Sequence, residues 1–236
     1  MPHLALLGDS IFDNAAYTGG DPDVITHVRR NLPTGWEASL CAVDGSTTED
    51  IPAQLAALPS NTTHLVLSIG GNNALLRADV LETPVLSSAD ALRLMADVAR
   101  QFEVEYKKVV AACLDRKLPL VLCTIYHGNF EQEDYQRRVA VALTVFNDVI
   151  IRTAVDNHLT VIDLRLVCCM PRDYANPIEP SSFGGEKIAK TVVRAVTQRE
   201  SVGWGARLVA GEGTRRPPAR GEESLSGSEV PPARGG

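Results

Sequence analysis

The sequence predicts a three-layer α/β sandwich around a parallel sheet. Five short apolar runs are continuous rather than alternating, and a stretch of helical character follows each of them. A strand covered by helices on both faces loses the polar alternation of a half-exposed strand, and strict strand–helix alternation gives right-handed crossovers. The runs lie at residues 3–8, 37–43, 63–70, 118–126 and 159–164. Between them, Asp21-Pro22-Asp23 opens a first helix with acidic residues and a proline in its first turn, and Thr48-Glu49-Asp50 caps a second. A long third helix starts at Ser88, with Leu92, Met95, Val98, Ala99 and Phe102 at helical spacing, and two more cover residues 135–157 and 181–198. Five strands in the order 2-1-3-4-5 make one domain over residues 1–199.

Composition changes near residue 200. The last 36 residues hold eight of the 18 glycines and four of the 14 prolines, without period. Such a stretch buries too little apolar surface to offset its ordering entropy, so residues 200–236 are expected to be a disordered tail. Its five arginines balance the glutamates counted from Glu200, so the body carries the whole net charge of −6. That sign argues against nucleic acid as a partner, and no apolar run approaches the roughly 18 residues of a membrane span. The partner is expected to be a small molecule; oligomeric state is unreadable. Five cysteines, an odd number without a secretory leader, fit a reducing, cytoplasmic setting. No cysteine or histidine spacing suits a metal, and no phosphate loop follows Gly70-Gly71, so no cofactor is called for.

In open parallel sheets ligands sit beyond the carboxyl ends of the strands. The ends here are Gly8-Asp9-Ser10, Asp44-Gly45-Ser46, Gly70-Gly71-Asn72-Asn73, His127-Gly128-Asn129 and the loop ending Asn176-Pro177-Ile178-Glu179-Pro180. A serine on a tight turn, a glycine N–H and an asparagine amide are the parts of acyl transfer: a nucleophile and donors to a developing oxyanion.

The block GDSIFDN, the glycine in AVDGSTT and the block SIGGNN resemble, in order and spacing, the SGNH or GDSL hydrolase family. The likeness covers about residues 3–195. It implies a flavodoxin-like sandwich that hydrolyses esters, with Ser10 as nucleophile. The Ser10 and Gly45 N–H groups and the Asn72 side chain would form the oxyanion hole, supported by Asp9, Asn73 and Asn176. The family's last block is Asp-x-x-His; here Asn176 stands at the Asp and Glu179 at the His. Serine needs a base. Three readings stay open: Glu179 is the base; His127 reaches Ser10 from another direction; or the chain binds an ester or glycan without hydrolysing it. Asp173 is a further candidate base.

Overall fold

In the computed structural model, residues 1–198 and 206–211 are described. Six parallel strands form one sheet: β1 (His3–Gly8), β2 (Glu37–Leu40), β3 (His64–Ser68), β4 (Leu120–Cys123), β5 (Thr160–Ile162) and β6 (Arg207–Val209). Their order is β2-β1-β3-β4-β5-β6. The five expected strands are in the expected order. The sixth pairs with β5, Thr160 opposite Arg207 and Ile162 opposite Val209. It falls inside the stretch read as a disordered tail, so for residues 206–211 that reading is corrected. The rest of that stretch lies outside the described residues.

Alternation of side chains across β1 divides the core in two. Leu4 and Leu6 face a layer made by α1 (Val24–Asn31) and α6 (Ser182–Thr197). Ala5 and Leu7 face α2 (Ile51–Ala56), α4 (Ser88–Leu114) and α5 (Glu133–Asp156). Each strand of the sheet's centre is thereby buried on both sides, which is why its sequence is continuously apolar.

Where the sequence predicts a cap, the helix starts within a residue of it; α5 starts two residues before the expected 135. Asp23 accepts from the Thr26 N–H at 3.0 Å, Ser87 from Asp90, and Ser181 from Gly184. Thr47, one residue before the expected cap, closes a capping box with Asp50. One short helix, α3 (Gly71–Leu75), was not anticipated. On α4, only Val98 and Phe102 of the apolar set are fully buried; Leu92 is 69% exposed and Met95 lines the cavity described below. All five cysteines are free, Cys168 and Cys169 included. Among the described residues no helix is long and apolar enough to cross a membrane.

Two glycines let the strand ends approach one another. Gly8 has φ +137°, and a Cβ there would stand 1.8 Å from the Ser68 carbonyl oxygen. Gly70 has φ +121°, and a Cβ there would press into the Phe102 ring. No other residue fits either position without moving backbone or core.

Candidate active site

Ser10 sits in the turn that leaves β1. The Asp9 carbonyl accepts from the N–H groups of Phe12 and Asp13, both at 3.1 Å, and the Asp9 carboxylate accepts from Ile11 at 3.2 Å. Fully buried Phe12 anchors that turn in the core, leaving Ser10 7% exposed. The Ser10 N–H and the Gly45 N–H have no acceptor among the described residues. Each is a donor still available to a ligand.

Asn72 lies on α3. One hydrogen of its amide goes to the Ser46 carbonyl at 2.8 Å, which couples α3 to the Gly45 turn; the amide has a second hydrogen to give. Asn73 faces elsewhere, donating to Thr48 at 2.8 Å and to Glu105 and accepting from the Thr48 N–H. It fastens α3 to α4.

The last loop delivers Glu179. The Asn176 side-chain oxygen accepts from the N–H groups of Ile178 and Glu179, both at 2.9 Å, an Asx turn that fixes where the glutamate leaves the backbone. The loop is tied down at three further points. Ala175 donates to the Glu179 carbonyl at 2.9 Å, the Tyr126 hydroxyl to the Ile178 carbonyl at 2.5 Å, and the buried Asn14 amide to the Pro180 carbonyl at 3.1 Å. Asn14 also accepts from the Val24 N–H at 2.9 Å, so it joins the serine turn, α1 and the glutamate loop. This role of Asn14 was missed in the sequence, although the residue closes the GDSIFDN block and that position was its only signal.

Ser10, Asn72, His127, Asp9 and Glu179 line one cavity of about 110 Å³ at the carboxyl ends of β1, β3 and β4. The Ser10 and Glu179 side chains share that cavity. Burial raises the Glu179 pKa above its ordinary value, the hydrogen bond from Ser10 opposes that rise, and the charge of Asp44 adds to it. The second carboxylate oxygen, Oε2, is buried without a partner. Asp9, 2% exposed, is pushed up to about 7, chiefly by burial and further by the charge of Glu179. Gly45 lies outside the cavity wall, in an exposed turn at φ +79°. Asp173 is excluded as a base by its surroundings: it is fully buried away from the cavity, accepting from the N–H groups of Cys169 and Met170 and pairing with Lys187 at 2.6 Å. Among the described residues, no group of three or more His, Cys, Asp or Glu is placed to hold a metal.

A parallel α/β sheet whose strand ends gather a turn serine, an asparagine amide and a buried carboxylate defines a hydrolase-like site. The chain belongs to the GDSL-like lipase/acylhydrolase family, whose profile matches residues 6–183, and it has the SGNH hydrolase fold. Its fold is similar to that of an extracellular lipase from Streptomyces rimosus, with a TM-score of 0.61 and 18% identity over 84% of this chain and 100% of that one. A phospholipase A1 from Streptomyces albidoflavus matches with a TM-score of 0.58 and 18% identity, covering 84% and 99%. The acetyl xylan esterase AlAXEase matches with a TM-score of 0.60 and 20% identity, covering 82% and 99%. No curated protein matches the sequence.

Proposed function

We propose that the protein hydrolyses carboxylic esters through Ser10, with Glu179 as the base. The observation that carries this reading is that Ser10, Asn72 and the buried Glu179 carboxylate line one cavity. Glu179 takes the proton as Ser10 Oγ bonds to the acyl carbon, and the carbonyl electron pair moves onto oxygen. The Ser10 N–H and the second Asn72 hydrogen stabilise that oxyanion, and the Gly45 N–H is the third donor from the adjoining turn. When the oxyanion collapses, the ester C–O bond breaks and the alcohol leaves with the proton held by Glu179. Water then attacks the acyl-serine, giving its proton to Glu179; Ser10 recovers a proton as the acid departs.

Burial suits a glutamate to this role. An ordinary carboxylate is a weak base at neutral pH, and desolvation strengthens it. Asn176 replaces the family's orienting Asp by holding the backbone on either side of Ile178 rather than by touching the base. His127 shares the cavity and is the alternative base.

A second reading, ester binding without turnover, is favoured by the Asn72 amide already donating to Ser46. A p-nitrophenyl ester panel decides between them. Hydrolysis by the wild type that disappears in both Ser10→Ala and Glu179→Gln supports the mechanism. Wild-type turnover in Glu179→Gln with Ser10→Ala inactive transfers the base to His127, and hydrolysis unchanged in Ser10→Ala overturns the serine mechanism altogether.

A further inference from the structure

The composition of the cavity says which part of an ester it holds. Beyond Ser10 and its neighbours, the wall is formed by Leu81, Val98, Val139, Leu143 and other apolar side chains of the segment 74–81, α4 and α5, with Phe130 from the loop between β4 and α5. Several polar groups along that wall already have partners. Thr124 donates to Asp163 at 2.9 Å, Tyr126 to the Ile178 carbonyl, and the Arg77 guanidinium lies against Asp79 and Gln101. A sugar bound along this wall would find few partners for its hydroxyls. A hydrocarbon would lose nothing.

Which side of the ester enters follows from the chemistry at Ser10. The acyl group must stay bound through both chemical steps, whereas the alcohol must leave, so the enclosed apolar wall beside Ser10 suits the acyl group. Leu75 lines the cavity and is 43% exposed, so the apolar wall runs out to the mouth.

Resting on the ester-hydrolase reading, we propose that the cavity is an acyl-chain site and that the substrate is an ester of a medium-length fatty acid rather than an acetylated sugar. The chain runs from Ser10 between the segment 74–81 and α5.

The test compares p-nitrophenyl acetate, p-nitrophenyl octanoate and octyl acetate. The longer chain buries several more methylenes, so a tenfold or greater preference in kcat/KM for octanoate over acetate is expected. Ala142→Phe on α5, and Ala78→Phe on the facing wall, should each lower the octanoate-to-acetate ratio at least tenfold. Melting curves show that each variant is folded, and either one suffices for the comparison. Acetate turned over as well as octanoate, octyl acetate turned over faster than p-nitrophenyl octanoate, or a ratio unmoved in a folded variant would each overturn the proposal. If the wild type hydrolyses none of these esters, the catalytic reading fails and calorimetry decides the cavity separately. Octanoate binding that is lost in Ala142→Phe, with no binding of acetate, supports an acyl site; no octanoate binding overturns it.

Discussion

Asp9 and Glu179 are two carboxyl groups within each other's field beside one serine, and their burial has consequences that titration can read. Asp9 is raised to about 7 from 3.8, first by burial. The folded chain therefore keeps a proton that the unfolded chain releases, and its contribution to stability is complete below 3.8 and lost as pH rises through about 7. Asp9→Asn cannot ionise but still offers an oxygen to the Ile11 N–H. It should gain stability over the wild type across that window, by up to about 4 kcal/mol near pH 8, measured by denaturant titration at several pH values. An unchanged difference between pH 4 and pH 8 would show that Asp9 carries no trapped proton. As the proposed base Glu179 acts only when ionised, so the acid limb of kcat/KM should rise through the raised glutamate pKa and level off. In Glu179→His the same limb should move up toward the imidazole range near 6.5, and an unmoved limb would assign it to another group. Asn72→Ala should lower kcat about 100- to 1,000-fold with little change in KM, since an oxyanion donor acts on the transition state.

Among elements, the turn after β1 and the loop before α6 do most to place these groups. Gly8 allows β1 and β3 to end side by side; the Gln54 side chain then closes both its N–H and its carbonyl at 2.8 Å. Gly8→Ala should cost about 2–4 kcal/mol, seen as a melting temperature lower by roughly 5–12 °C. Asn176→Ala removes the Asx turn and should lower kcat/KM about 10- to 100-fold, with the acid limb retained. Asn176→Asp keeps the accepting oxygen and should rescue it, which a general loss of stability would not allow. These elements differ in how far the sequence announced them. The long helices and central strands were legible because burial on fixed faces writes a period into the residues. The β6 strand was not: Arg207, Leu208 and Val209 are too few to show a period, and their partners on β5 lie far back in the chain. α3 spans five residues and has no amphipathic face to betray it. The serine, asparagine and glutamate could be picked out as candidates from their places after the apolar runs. That Ser10 and Glu179 share one cavity could not, because the loop length fixes neither the Asx turn nor the bond from Asn14.

At the scale of the whole molecule, the edge and the closure of the fold carry the remaining expectations. β6 covers the outer edge of β5: Val209 is 5% exposed, the Asp163 N–H donates to its carbonyl at 2.8 Å, and Arg194 donates to the Ala210 carbonyl. A chain ending at residue 205 should therefore be less stable than one ending at residue 211, by about 2 kcal/mol, in parallel thermal melts. Equal melting temperatures would make the strand dispensable. The closure is between the two ends of the domain. α1 packs on α6, and Asn14 reaches across to Pro180, so Ser10 and Glu179, the proposed nucleophile and base, come from opposite ends of the folded chain. Drawing such distant segments together carries the largest loop-closure entropy in the fold, and no partly made chain can contain the pair. During synthesis the serine turn must wait, inert, for nearly the whole domain to follow it. Under the proposed mechanism, ester turnover is then a gauge of finished folding, lost as soon as α6 peels away from α1, while most of the helical signal survives.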